Sequence, residues 1–175
     1  KQAAVEVVEY LIGQGHTEIA TIAGDISTQA GLKRLEGYRD ALIKHNIETP
    51  RHYVTFGDFL RTPAHAAAQK LLKEKNRPTA VFAASDVMAL ELMDVARSLQ
   101  LRVPQDLSVI GFDDNPLNVT SPVALTTVSQ PLVEMGRLWA EHLSQISKGK
   151  ERLPLKIVLP TKLIKRDSVA KAGKK

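Results

Sequence analysis

The chain has 175 residues, 43% hydrophobic and 25% charged, with no cysteine and a formal net charge of +5. This length predicts a globular unit with its own core. The lack of cysteine excludes disulfides, thiol nucleophiles and cysteine-ligated zinc, and favours the cytoplasm. The basic residues are scattered, with many of them near the C-terminus, and form no basic helix with interleaved aromatics, so we expect no direct contact with nucleic acid. No apolar run is long enough to cross a bilayer, so we expect no membrane association.

The first residues have a pattern typical of a helix. Apolar residues recur at helical spacing between Val7 and Ile12, but the stretch has neither an initiator methionine nor a capping residue. We therefore expect the chain to begin within, or at the edge of, a helix of a longer protein. Gly13 and Gly15 are predicted to end this helix.

Strands and helices then alternate at short intervals. Strands are predicted at 18–24, 52–56, 79–84, 107–112 and 124–129, and residues 155–166 are strand-like on both sides of Pro160. Helices are predicted at 32–46, from an N-cap at Thr62 with Pro63 as first helical residue, from Asp86 to Leu99, and after Pro131. This order predicts an α/β fold, with a largely parallel sheet and helices on both faces.

Ligands of such sheets bind beyond the carboxyl ends of the strands, and the polar residues at those ends are therefore candidates for a site. They are Asp25, Ser27 and Thr28; Asp58, with the aromatic Phe59; Ser85 and Asp86; and Asp113, Asp114 and Asn115. Arg34, early in the second helix, is expected to reach the same edge. Carboxylates that accept hydrogen bonds, an arginine that donates them and a stacking aromatic suit a neutral polyhydroxylated ligand.

Each candidate also has a purely structural interpretation. Asp86 is a favourable first-turn acid for a helix with Ser85 as its N-cap. Asp113 stands in turn-forming sequence, Phe59 is equally suited to fold back into the core, and Arg34 is equally suited to a surface salt bridge.

The sequence gives little support for an enzyme. Its histidines, at 16, 45, 52, 65 and 142, show no metal-ligand spacing, and we expect them to be exposed to solvent. There is no Gly-x-Ser-x-Gly elbow and no P-loop. A pair of aspartates after a strand could hold magnesium, as in phosphotransfer receivers, but no partner acid or lysine is identified. We expect no catalytic activity, metal or cofactor.

Five stretches resemble, in order, the effector-binding core of the lactose and galactose repressor family of bacterial transcription regulators. They are LIGQGHTEIATIAG, KRLEGYRDAL, TAVFAASDVMALELMDVARSLQLRVPQDLSVIGFDD, SPVALTTVSQPLVEMGRLWAEHL and LPTKLIKRDS. The resemblance runs from about Ala3 to Ser168 and is most specific in VPQDLSVIGFDD followed by LTTV. It implies a fold like the type I periplasmic binding proteins, with two lobes around a cleft, preceded by a helix-turn-helix module that reads an operator.

The resemblance also implies a domain division. Residues 1–126 correspond to the C-terminal lobe, 127–147 to a crossover segment that belongs to the other lobe, and 148–168 to the return. Residues 169–175 are expected to be a disordered basic tail. The helix-turn-helix module and most of the N-terminal lobe lie outside this chain.

The ligand contacts of the family can be assigned to this chain wherever its residues match the family's motifs. The implied ligand contacts are Arg34, Phe59, Ser85, Asp113 and Gln130. Ser85 stands where many family members have asparagine, which shortens its reach. Asp114 is expected to brace its own loop.

The resemblance further implies a homodimer formed through the helix that begins at Asp86. Val87, Leu90 and Met93 form an apolar stripe on this helix, separate from the one that includes Leu92 and Val95. We predict that Leu90 lies near the dimer axis; the alternative is that the fold itself covers this stripe.

The function implied is that of the effector-sensing and dimerisation region of a bacterial repressor, which binds a small sugar-like metabolite and controls operator binding by the helix-turn-helix module. The alternative is a periplasmic sugar-binding protein of a transport system.

Overall fold

The structure, a computed structural model, describes residues 1–116, 121–149 and 156–173. Its helices are α1 (Gln2–Gly13), α2 (Gln29–Lys44), α3 (Arg61–Leu72), α4 (Asp86–Ser98) and α5 (Leu132–Ser147). Its strands are β1 (Ile19–Ala23), β2 (Val54–Phe56), β3 (Ala80–Ala83), β4 (Ser108–Ile110), β5 (Thr127–Ser129) and β6 (Lys162–Ile164), with a short 3-10 turn at Arg51–Tyr53.

The main sheet has four parallel strands in the order β2-β1-β3-β4. Beyond β4, the bridges Ile110↔Thr126 and Asp113↔Ser129 bring β5 alongside in the same direction, and β5 pairs with β6 in antiparallel fashion. The predicted parallel α/β sheet is therefore confirmed.

Two separate cores form on the two faces of the sheet because successive side chains of a strand point to opposite sides. Ile22, Val81 and Val109 pack in the core under α3 and α4. Phe82 and Ile110 pack in the core under α1 and α2. Helices on both faces explain why the strands are almost continuously apolar, as the sequence indicates.

Element ends differ from the sequence expectation in three places. Helix α3 begins at Arg61 after Leu60, not after Thr62 as predicted. Pro63 is compatible with this earlier start because the N–H groups of a first helical turn have no partner within the helix.

Helix α2 begins at Gln29, where the Thr28 hydroxyl accepts a hydrogen bond of 3.1 Å from the Gly31 N–H. Of the stretch around Pro160, the described residues before it form no strand.

Residues 169–173 lie against the body of the protein, which differs from the disordered tail predicted for 169–175. The Ala170 N–H donates to the Ser108 hydroxyl (3.1 Å), and the Ala172 N–H donates to the Gln14 carbonyl (2.9 Å). His16 also meets this segment, with Nε2 lying 3.1 Å from the Ala170 carbonyl. His16 is only 3% exposed, so the expectation that all histidines face solvent is wrong for this residue.

Candidate functional site

The predicted site residues gather at the carboxyl ends of β1, β3 and β4. The chain passes from β1 outward to β2 on one side, and the later strands β3 and β4 lie on the other side of β1. The strand order thus changes direction between β1 and β3, and the crevice at such a point is where open α/β sheets bind ligands.

Arg34 projects from α2 into this crevice. Its Nη1 donates to the Ala84 carbonyl at the end of β3 (2.5 Å), and its guanidinium lies 3.7 Å from the centre of the Phe112 ring. The side chain is 12% exposed, so it is not a surface salt bridge. Burial lowers the pKa of Arg34, and the neighbouring carboxylate of Asp113 acts in the opposite direction.

Asp113 lies at the centre of the polar contacts. Its Oδ1 accepts from Gln130 Nε2 (2.7 Å) and from Arg34 Nη2 (3.3 Å). Burial raises the pKa of Asp113, as does the charge of Asp86, whereas Arg34 and Gln130 lower it. The carboxylate is therefore held by two donors in a place that disfavours its charge.

Phe59 closes one side of the crevice. It follows β2 in a left-handed conformation (φ 62°), and its ring covers Gly24, where a Cβ atom would lie 2.1 Å from the ring. The ring packs partly against the α3/α4 core, and its centre is 5.6 Å from the Arg34 guanidinium. Phe59 therefore combines the two interpretations of the sequence, because it contacts the core and also borders the site.

Three other polar residues at the strand ends make structural hydrogen bonds. Ser85, 4% exposed, caps α4 by accepting from the Met88 N–H (3.4 Å). Asp114 accepts from Arg166 Nη2 (2.6 Å) and so braces its loop, as predicted. Asp25 accepts from the Ser27 N–H (2.8 Å) and shapes the loop before α2.

The structure thus brings Arg34, Phe59, Asp113 and Gln130 together and uses Ser85 mainly as a cap. Phe112, whose ring supports the Arg34 guanidinium, was not among the residues predicted from the sequence. The signal was present, because Phe112 directly precedes Asp113 at the end of a strand.

The three residues of the predicted dimer stripe on α4 differ in their exposure to solvent. Val87 and Leu90 are partly exposed, whereas Met93 is 8% exposed and belongs to the α3/α4 core. Only Val87 and Leu90 therefore present a substantial surface to a partner.

Helix α5 lies beside the site and has no buried residue. An apolar groove of about 400 Å³ runs between α5 and residues 156–161, and Gln130 stands at its edge. The exposed apolar side chains of this region are Leu132, Val133, Trp139, Leu143, Ile157 and Val158.

A largely covered arginine beside a partly exposed carboxylate, an aromatic wall and a crevice beyond parallel strands are typical of α/β lobes that bind small molecules. Residues 8–169 match the periplasmic binding protein-like domain family, and the chain belongs to this family.

Its relatives are bacterial transcription regulators. The HTH-type transcriptional regulator CelR of Thermobifida fusca is 39% identical over 163 residues, which are 93% of this chain and 48% of that protein. A solved transcriptional regulator CelR–cellobiose complex superimposes with a TM-score of 0.88 at 40% identity, covering 92% of this chain and 49% of the other. The Lac repressor dimer bound to operator and the anti-inducer ONPF superimposes with a TM-score of 0.86 at 30% identity, covering 95% of this chain and 57% of the other.

The chain spans about half the length of the curated relatives that it matches. The resemblance to the lactose and galactose repressor family is confirmed, and the relatives favour an effector-binding regulatory domain over a transport protein. Within residues 1–116, 121–149 and 156–173, no helix is long and apolar enough to cross a membrane, and no three acidic or histidine side chains form a metal-binding group.

Proposed function

We propose that the chain is the effector-sensing and dimerisation region of a bacterial transcription regulator. It binds a small sugar-like metabolite, and this binding controls how a helix-turn-helix domain outside the chain binds operator DNA. The support comes from its relatives, which include a transcriptional regulator solved in complex with cellobiose and a Lac repressor dimer bound to operator. Such coupling requires the ligand to have different affinities for the two states of the protein.

The observation that carries the proposal is the cluster of Arg34, Asp113 and Gln130 beside the Phe59 ring. Asp113 accepts hydrogen bonds from sugar hydroxyls, Arg34 donates to sugar oxygens, and Phe59 stacks on the apolar face of a pyranose ring. Gln130 donates or accepts at the same place, and Ser85 adds a short hydroxyl at the rim.

A second lobe completes the site in this proposal. Residues 1–126 and 148–168 form the C-terminal lobe, and residues 127–147 cross to the other lobe. The support is α5, which has no buried residue and carries an apolar groove next to Gln130. A helix with a large uncovered apolar face needs a partner surface. Residues 117–120 and 150–155 of this division lie outside the described residues.

The regulator acts as a homodimer with Leu90 of α4 near the axis, flanked by Val87. In this proposal the regulator acts in the cytoplasm and has no enzymatic activity, cofactor or membrane partner; the support is that its relatives are regulators of transcription. Operator DNA is contacted only through the domain outside this chain.

Differential scanning fluorimetry followed by calorimetry tests this function, with cellobiose, lactose, glucose, ribose and a purine as ligands. We expect one saccharide to raise the melting temperature of the wild type and to lose at least about tenfold in affinity with Asp113→Asn, because the amide lacks a carboxylate's charge. Asp40→Asn, on the exposed part of α2, is the matched control and should bind normally. Equal binding by both variants would refute the site assignment.

A further inference from the structure

We propose that Asp86 is a positioning residue, which fixes the loop that carries Asp113 and links this loop to strand β5. The role rests on the proposed function in that Asp113 is taken as a ligand contact. It goes beyond the interpretation of Asp86 as a first-turn acid, because the partners of its side chain lie outside α4.

Asp86 is a buried carboxylate, 1% exposed, with two partners from distant parts of the chain. One oxygen accepts from the Thr127 hydroxyl (2.5 Å), and the other accepts from the backbone N–H of Asn115 (2.7 Å). Its own N–H donates to the Phe112 carbonyl (2.8 Å). The residue thus joins the start of α4, the loop after β4 and the start of β5.

The Asp113 loop needs such support because its backbone is strained. Asp113 has φ 120° and Asp114 has φ 54°, and residues other than glycine keep such conformations only when their surroundings hold them. The three successive N–H groups of this loop all have acceptors: Val128 O for Asp113 (2.9 Å), Thr127 Oγ1 for Asp114 (3.3 Å) and Asp86 Oδ2 for Asn115 (2.7 Å). Asp86 supplies the last acceptor and orients the hydroxyl that supplies the middle one.

Strand β4 leaves room for this carboxylate. A Cβ atom at Gly111 would lie 2.2 Å from Asp86 Oδ1, so only glycine allows the side chain to pass β4 and reach Thr127. The sequence is therefore adapted to the position of the Asp86 carboxylate, which a simple effect on the helix dipole would not require.

Strand β5 connects the loop to the rest of the proposed mechanism. Thr127, which Asp86 holds, is the first residue of β5, and Gln130, which contacts Asp113, follows its last residue. Helix α5 begins two residues later. A ligand that displaces Asp113 therefore acts on both ends of β5, and through it on the segment proposed to cross between the lobes.

The first test uses nuclear magnetic resonance and needs no ligand. In Asp86→Asn the amide oxygen can still accept from Asn115 and its nitrogen can donate to Thr127, so the shape is kept and the charge is lost. We expect the Asp113 carboxyl to titrate at lower pH, because the charge of Asp86 raises the pKa of Asp113. Thr127→Val keeps the charge but removes the hydroxyl, and should speed exchange of the Asp114 N–H at least about tenfold.

Tyr38→Phe is the matched control, because it removes a buried hydrogen bond to the Ile19 carbonyl far from this loop. It should leave both the Asp113 titration and the Asp114 exchange, corrected for stability, unchanged. Equal Asp114 exchange in Thr127→Val and Tyr38→Phe would overturn the positioning role. An unchanged Asp113 titration in Asp86→Asn would overturn the electrostatic link between the two acids.

The second test is a double-mutant cycle on the affinity for cellobiose. We expect Asp86→Ala to weaken binding at least about tenfold in the wild type, and to have little further effect when Asp113 is already asparagine. Equal losses in both backgrounds would show a general structural role and overturn the proposal. If wild-type protein binds neither cellobiose nor any other ligand of the panel, the proposed function fails, while the titration and exchange still decide the role of Asp86.

Discussion

His16 should make the stability of this protein depend on pH between 8 and 5.5. The ring is 3% exposed; its Nδ1 lies 2.9 Å from the Thr79 hydroxyl, and its Nε2 lies 3.1 Å from both the Ser108 hydroxyl and the Ala170 carbonyl. A carbonyl only accepts, so these contacts fit the neutral tautomer that carries its proton on Nε2. Burial lowers the pKa of His16 below its ordinary value of 6.5.

The sign follows from proton linkage. A histidine whose pKa is lower in the folded state binds protons more readily when the protein is unfolded, so stability is lost as the pH falls below 6.5. If the folded state takes up no proton in this range, the free energy of unfolding decreases by up to about 1.4 kcal/mol from pH 8 to pH 5.5.

Urea denaturation of the wild type and of His16→Gln across this range measures the effect. The variant has no titrating ring, so its free energy of unfolding should change less between pH 8 and 5.5 than that of the wild type. The exposed His52 provides the control, since His52→Gln should keep the wild-type slope. Identical slopes for wild type and His16→Gln would refute the argument.

Three further outcomes are expected. Leu90→Asp should shift the mass in light scattering from two chains towards one, and an unchanged dimer would remove α4 from the interface. Gly24→Ala should weaken binding of the saccharide identified in the ligand panel at least about tenfold, because its Cβ would displace the Phe59 ring; wild-type affinity would show that this ring is not a ligand contact. Asp113→Asn should raise the melting temperature at pH 7, because burial disfavours the ionised acid, and this gain should vanish as the pH falls below about 4; a lower melting temperature at pH 7 would contradict the cause given for the raised pKa.

The fold was predictable because its determinants are local. Apolar strands alternate with amphipathic helices, and this pattern leads directly to a parallel sheet with two covered faces. Local signals were also the source of the error at α3, since Thr62 followed by Pro63 has the form of a helix start although the helix begins at Arg61.

Several contacts inside the protein and at the site join residues far apart in sequence, and no local pattern reveals them. His16 stands after a helix stop like many loop residues, yet its partners lie 63, 92 and 154 positions away. Asp86 has the form of a first-turn helix acid, yet its partner Thr127 lies 41 positions away. Arg34 and Asp113 were candidates from their positions at the strand ends, and the family resemblance implied that they contact a ligand. The packing of Arg34 on the Phe112 ring joins residues 78 positions apart, which local patterns do not pair.

The segment from Arg166 to Ala172 determines how short a recombinant fragment of this lobe can be. Arg166 ties β6 to the Asp114 loop, Ser168 donates to the Val109 carbonyl (2.6 Å), and Ala170 and Ala172 reach Ser108 and the end of α1. A fragment that ends at residue 165, or that has an affinity tag in place of residues 166–172, would lose these hydrogen bonds. Their partners in the rest of the lobe would then be left unpaired. A fragment intended for ligand screening or crystallisation should therefore extend at least to Ala172.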